Sequence, residues 1–375
     1  MALTWQDPRA PGPTGLLLCA ILPLLHLGGE AMGFEIRRGT NISHWLSQSN
    51  RRGDERRRFF TRDDVRRIAA WGFDHLRLPV DEEQLWDESG RCETEAFDLL
   101  EAALDWCAEA SLRAIVDLHI LRSHHFNQQT VPTLYTDEAA ARHFADLWRD
   151  LSDALAHRRA DRVAYELLNE PVAPAPADWN RVALAALAAV REREPERTVV
   201  LGSNQFQSCD TFDRLEVPDR QAEPGDRLTL SCHFYRPMFV THYRAPWWRG
   251  GCDYDGPVQY PGRPIPEEAF ASLPAERREA WGKWNEPYDR EAMVAAFAKP
   301  LAVREQTGRP LYCGEFGCRL VTPEPARTRW YCDVVSVFDE LGIAFANWDY
   351  RGGSGLIDAE GQDQGTAAIL LGATQ

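Results

Sequence analysis

Along the chain, short runs of apolar and β-branched residues alternate with longer segments whose apolar positions recur at helical spacing, and the alternation repeats about eight times. The strand candidates are residues 34–41, 73–79, 112–119, 163–169, 198–203, 228–234, 310–315 and 343–348. Between them the 3.6-residue period predicts helices over 61–71, 93–110, 137–156, 177–193, 289–304 and 325–341. Thr61 is the expected N-cap of the first of these, with Asp63 and Asp64 in its first turn. The segment after the fifth strand carries no clear helical period. Strands that are apolar on both faces belong in a parallel sheet covered by helices, and eight successive βα units predict an α/β fold, a closed (β/α)8 barrel. An open doubly wound sheet is disfavoured, because no G-x-G-x-x-G opens a helix after the first strand.

One stretch breaks the rhythm. Residues 236–277 separate the sixth strand from its helix and are rich in Pro, Gly, Trp and Tyr, which predicts a long loop. Loops that follow barrel strands build the active face, so Trp247, Trp248, Tyr254 and Tyr260 are candidates to line a binding cleft; packing against one another is the competing expectation. Residues 32–375 read as one domain, and residues 1–31 are set apart from it. Residues 15–27 have the length of a signal-peptide core and are too short to span a bilayer; alternatively Met32 is the true start. The first reading implies a secreted or periplasmic protein, the second a cytoplasmic one.

Composition narrows the chemistry. Charged residues at 26% and hydrophobic ones at 44% are ordinary for a folded globular chain. The formal net charge of −15 opposes attraction to a phosphate backbone, so nucleic acid is not an expected partner, and no segment predicts a membrane partner. Lys283 and Lys299 are the only lysines, which disfavours Schiff-base chemistry. The 13 tryptophans suit ligands with apolar faces and hydroxyl rims, as sugars have. Nine cysteines leave the redox compartment open; Cys313 and Cys318 lack partners at zinc spacing and read as buried free thiols.

Polar residues gather at the C-terminal ends of the expected strands: Arg77 in HLRLP, His119 in VDLH, Asn169 and Glu170 in ELLNEP, His233 and Tyr235 in CHFY, Glu315 in GEFG, and Trp348 in NWDY. In a barrel these ends form one mouth. Two carboxylates there, Glu170 and Glu315, suit glycoside hydrolysis, one as a proton donor to the leaving oxygen and the other as a nucleophile or as the base for water. Arg77 is expected to keep Glu315 ionised, while a less compensated Glu170 retains its proton. Asn169 can donate to a sugar hydroxyl, Tyr235 can orient the nucleophile, and Trp348 can lie under the ring. Asp117, on the strand face of His119, reads as a structural carboxylate, and Asp81 and Glu82 as solvated loop charges.

In order and spacing, GTNISHWL, HLRLP, VDLH, ELLNEP, CHFY, GEFG and NWDY resemble glycoside hydrolase family 5, the cellulase-type retaining barrels, over residues 34–356. The resemblance implies double displacement on a β-glucan or related β-glucoside, with Glu170 as acid/base, Glu315 as nucleophile, and no metal or organic cofactor. It places Arg77, His119, Asn169, His233, Tyr235 and Trp348 around the sugar being cleaved, and His44 and Trp45 beside the cleft; a Trp that plugs the barrel bottom or packs under a helix is the competing expectation for Trp45. The partner is then an oligo- or polysaccharide. Alternatives are the same chemistry on a β-mannan or on a β-1,3- or β-1,6-glycan, and a noncatalytic carbohydrate-binding barrel, against which the intact carboxylate pair argues. Two departures stand out. Asn285-Glu286-Pro287 repeats the N-E-P triplet without a strand before it, so Glu170 is preferred over Glu286. Ile120 follows His119 where many family members have a second His; His124 or His125 is then a candidate replacement, with solvent-exposed loop histidines the commoner expectation.

Overall fold

A computed structural model describes residues 33–127, 130–219 and 227–372. The leader candidate and Cys19 lie outside them. Strands β1 (Arg38–Asn41), β2 (His75–Val80), β3 (Arg113–Leu118), β4 (Val163–Glu166), β5 (Val199–Gly202), β6 (Leu228–Phe234), β7 (Leu311–Phe316) and β8 (Ala344–Asn347) pair in parallel in chain order and close into a barrel. Every expected strand is present, mostly shorter at one or both ends.

Helices cover the outside. The first long one, Arg62–Trp71, begins at a capping box in which the Thr61 N–H donates to Asp64 at 2.9 Å, and it ends at left-handed Gly72. Glu138–Leu155 and Pro176–Arg193 follow β3 and β4. After β5 no long helix forms; a short turn, Asn204–Gln207, leads into the 3-10 helix Cys209–Arg214. The helix expected over 289–304 is two, Arg290–Ala296 and Ala298–Thr307, joined at buried Phe297. At the barrel bottom Ile115, Ala164, Val200, Tyr312 and Ala346 fill the lumen, with Phe34 and Ile36 packed beneath.

The stretch after β6 is not a structureless loop. It contains the helices Met238–Thr241, Glu267–Ala271 and Ala275–Trp281, the last two following Pro266 and Pro274. Phe239, Tyr243, Tyr254, Val258, Ile265 and Trp281 form a satellite core separate from that of the barrel. Sequence patterning missed these helices because they are short and their apolar residues answer to each other. Asn285 clamps this segment, its Oδ1 accepting from the Ile265 N–H at 2.6 Å and its Nδ2 donating to the Ile265 carbonyl at 3.1 Å. Cys313 and Cys318 are buried free thiols, and the described cysteines form no disulfide. Among the described residues, no helix is long and apolar enough to cross a membrane.

Arg197, just before β5, is buried and ties the bottom of the barrel together. Its guanidinium donates to the carbonyls of Val163 at 2.8 Å and Arg158 at 2.7 Å, and to Glu194 Oε2 at 2.8 Å, close to the C-terminal end of the Glu138–Leu155 helix. Glu194 in turn accepts from the Tyr165 hydroxyl at 2.8 Å. Arg197→Met strands this buried carboxylate and is expected to cost roughly 3–5 kcal/mol, or roughly 5–10 °C in melting temperature, with little change in turnover of the folded fraction. Thermal unfolding followed by circular dichroism checks it.

Candidate active site

At the barrel mouth a single guanidinium organises the polar side chains. Arg77 on β2 is fully buried, and each of its three side-chain nitrogens donates at least one hydrogen bond. Nε donates to Glu166 Oε2 at 2.7 Å, Nη1 to Asn41 Oδ1 and Glu315 Oε1, both at 2.9 Å, and Nη2 to Asn169 Oδ1 at 2.9 Å, while Asp117 Oδ2 forms an ion pair with Nη2 at 3.1 Å. These partners come from β1, β3, β4, the turn after β4, and β7. The register explains the meeting, since Asn41 pairs with Arg77 and Asp117 with Glu166 across neighbouring strands.

One cation faces three carboxyl groups, and Glu170 adds a fourth that it does not touch. Burial therefore wins over attraction for several of them. Asp117 is pushed up to about 7 against the pull of Arg77, and Glu166 is raised for the same reason. Glu315 is pushed up to about 8 by burial, with Arg77 and the Tyr235 hydroxyl, which donates to its Oε2 at 2.9 Å, working in the opposite direction. Glu170 is driven well above the carboxylate range by burial and then by the charge on Glu315, with only a distant lowering from Arg77. The two carboxyls are thus unequal: Glu315, with two hydrogen-bond donors, ionises first, and Glu170 keeps its proton.

His233 stands between them. Its Nδ1 lies 3.0 Å from Glu170 Oε1 and 3.6 Å from Glu315 Oε2, and burial, aided by Arg77, keeps the ring neutral by lowering its pKa well below the usual value. Gly314 makes room for it, because a Cβ there would fall 3.2 Å from His233 Nε2 and 2.9 Å from Ser231 Oγ. Among the described residues, Glu170, His233 and Glu315 are the group with ligand atoms close enough to share a metal ion, all within 4.8 Å of one another. An ion there would have to displace the His233–Glu170 contact and accept Arg77 as a neighbour.

A second wall faces the pair. The His119 and Trp348 rings stack with centroids 5.5 Å apart and planes 6° from parallel, and His44, half-buried, meets Trp348 edge-on at 6.3 Å. His119 is neutral, its pKa lowered by burial and by Arg77; its Nδ1 lies 2.7 Å from Asp117 Oδ2 and its Nε2 is 2.9 Å from the Gln48 amide nitrogen. Nδ1 therefore donates to Asp117, and Nε2 accepts from Gln48. The Asn169 amide nitrogen is buried without a partner, a donor left for a ligand.

Of the residues chosen from sequence, Arg77, His119, Asn169, Glu170, His233, Tyr235, Glu315, Trp348 and His44 come together here. Trp45 does not. It is 1% exposed, donates its Nε1–H to the Arg56 carbonyl at 3.0 Å and packs on Phe60, so it belongs to the core beneath the first helices. Asp81 and Glu82 are likewise buried instead of solvated: Asp81 accepts from the Gln48 N–H at 2.7 Å, and Glu82 from Arg122 Nη1 at 2.7 Å, with His143 Nε2 2.8 Å away. His124 is buried against Tyr135 near the Glu170 main chain, and His125 is half-buried against Phe126, so neither takes the place beside His119. That place is filled by Gln48, which carried no signal in the sequence. Asn41, Glu166 and Gln207 were also missed, although a glutamate inside the otherwise apolar strand run VAYELL was a visible anomaly. Glu286 is exposed, beside Arg263. Of the four aromatics after β6, Tyr254 and Tyr260 are buried and Trp248 packs on Phe239, whereas Trp247 is 61% exposed. Trp247 lies one ring from His242, which contacts Tyr235, and the Arg319 guanidinium sits 5.1 Å from its ring centroid.

Comparison with known proteins bears on this geometry. The model of the family described as Cellulase (glycosyl hydrolase family 5) matches residues 35–354. Endoglucanase C of Acetivibrio thermocellus is 30% identical over 316 residues, covering 84% of this chain and 90% of its own. Cellodextrinase A of Ruminococcus flavefaciens is 26% identical over 312 residues, covering 82% and 84%. Among solved structures, Cel5A of Thermotoga maritima, crystallised with mannotriose, superposes with a TM-score of 0.70 at 20% identity over 90% of this chain and 97% of its own, a likeness of fold.

The Tyr235 hydroxyl holds Glu315 down, so Tyr235→Phe should raise the proton affinity of Glu315 and shift its titration upward by about one pH unit. Carbon-13 NMR of carboxyl-labelled glutamate across the pH range measures it.

Proposed function

This chain belongs to glycosyl hydrolase family 5, and on that footing we propose that Glu170 and Glu315 divide the cleavage of a β-glucan between them, Glu170 as general acid/base and Glu315 as nucleophile. The enzyme is a retaining β-glycosidase of the cellulase type. The observation that carries the assignment of roles is the pair itself: carboxylate oxygens within 4.8 Å of each other, one under Arg77 and Tyr235 and the other without a cation. That spacing is close to the roughly 5–5.5 Å of retaining enzymes and far below the roughly 6.5–9.5 Å that leaves room for water in an inverting mechanism.

The chemistry follows from the proton distribution. Ionised Glu315 attacks the anomeric carbon while Glu170 delivers its proton to the departing glycosidic oxygen, so a glycosyl ester forms as the leaving sugar departs neutral. Glu170, now a carboxylate, takes a proton from water, which attacks the same carbon and returns Glu315 as a free carboxylate. His233 stays neutral throughout and keeps Glu170 aimed. The unpartnered Asn169 amide is positioned to donate to a sugar hydroxyl, and the His119–Trp348 stack offers an apolar face to the ring. Arg77 neutralises Glu315 whenever that oxygen carries charge, which favours the departure of Glu315 in the second step as well as its ionisation before the first. Trp247, one face under Arg319 and the rest in solvent, is the aromatic best placed after β6 to carry a sugar further along the chain.

Among β-linked substrates, the endoglucanase and cellodextrinase relatives favour a β-1,4-glucan over mannan or β-1,3- and β-1,6-glycans. Glu315→Gly should lose turnover by ~10⁴-fold or more on cello-oligosaccharides and regain it with azide, giving a glycosyl azide of inverted anomeric configuration. Glu286→Gln should stay within about twofold of wild type. If Glu286→Gln abolishes activity while Glu170→Gln does not, the assignment of the acid/base is wrong. Trp247→Ala should raise KM for the longer oligosaccharides on the order of tenfold and leave short aryl glycosides nearly unaffected. Initial rates across a chain-length series measure it.

A further inference from the structure

After β5 the backbone adopts left-handed φ at three successive residues that are not glycine: Gln205 at 54°, Phe206 at 64° and Gln207 at 51°. Side chains with a Cβ rarely accept this conformation even singly, and such runs persist where the surroundings hold them in place. Here the turn drives the Gln207 side chain inward, to full burial, between two groups of the site. Its Oε1 accepts from the backbone N–H of Glu170 at 3.0 Å, and its Nε2 donates to Glu166 Oε1 at 2.9 Å. The other oxygen of Glu166 accepts from Arg77 Nε at 2.7 Å, and Arg77 Nη1 holds Glu315 at 2.9 Å. Gln207 is thus the link in an unbroken chain of hydrogen bonds from the main chain of one carboxylate to the side chain of the other.

Three further details point the same way. Glu170 is itself left-handed, at φ 45°, so its backbone N–H is presented to Gln207 by a conformation that needs support. The Phe206 N–H donates to the carbonyl of Pro171 at 3.2 Å, a second stitch between the two turns. Gly202, the last residue of β5, lies against the Gln207 amide so closely that a Cβ would fall 2.2 Å from Nε2. The strand end is hollowed to take this one amide.

We infer that Gln207 is a positioning residue for the acid/base: by gripping the backbone of Glu170 and the Arg77 network at once, it fixes the approach of the Glu170 carboxyl to the leaving oxygen. It touches neither substrate nor reacting atoms. The inference rests on the acid/base reading of Glu170, and its test must separate the two.

Gln207→Met keeps the side-chain bulk and removes both hydrogen bonds. Gly202→Ala keeps Gln207 and displaces its amide. Each is assayed on cellotetraose, whose leaving sugar needs a proton from Glu170, and on 2,4-dinitrophenyl β-cellobioside with azide. There the phenolate leaves without a proton, and azide, attacking the glycosyl ester in place of water, needs no base. The dinitrophenolate burst counts competent sites, so rates refer to folded enzyme. Both variants should lose on the order of 10- to 100-fold in kcat on cellotetraose and less than about threefold on the aryl substrate with azide. Equal losses on the two substrates, or none on either, overturn the inference. Glu170→Ala is the control: if it fails to show the same selective loss with azide acceleration, the acid/base reading falls instead.

Discussion

The mouth of this barrel is governed by a shortage of positive charge. Arg77 is the single buried cation among Asp117, Glu166, Glu170 and Glu315, and each of its side-chain nitrogens is engaged by the acceptors around it. Four carboxyls cannot all ionise around one guanidinium in a dry site, so protons must be held somewhere, and the geometry decides where. A lysine could not substitute, because its ammonium lacks the planar fork that meets acceptors on several strands at once. The same contacts bind strands together, so closing the barrel and setting the protonation pattern are one event. The polar layer lies above an apolar lumen floor of Ile115, Ala164 and Val200, which keeps water from relieving the shortage from below.

What the sequence made legible follows from what each residue answers to. Strand periodicity and strand-end polarity are local signals, and they placed the barrel and most of the residues around Glu170 and Glu315. Trp45 answers to a nonlocal fact, the packing of Phe60 and the Arg56 carbonyl against it, which no motif reports. Asp81 and Glu82 look like solvated charges until Gln48, Arg122 and His143 arrive from elsewhere in the chain. Gln48 and Gln207 were invisible for a related reason: an amide becomes part of a site through the partner that reaches it and through backbone angles that composition does not encode. The helices after β6 escaped because they are stabilised by a small core of their own.

The division of labour between the two carboxyls is achieved without placing them in different kinds of surroundings. Glu315 is buried and Glu170 nearly so, and both lie against His233. The difference is carried by two donors, Arg77 and Tyr235, on one side and by a backbone grip on the other. Tyr235 is also the hinge between this chemistry and the segment after β6, since its ring meets His242 and through it the neighbourhood of Trp247.

That segment has its own apolar cluster, built from Phe239, Tyr243, Tyr254, Val258, Ile265 and Trp281. Because its cohesion is internal, substitutions there spend local stability and leave the barrel's folding free energy largely intact. Descendants of this chain are therefore free to reshape one bank of the cleft by drift and selection while the proton machinery stays fixed, so that a new diet of polysaccharides requires no new catalyst.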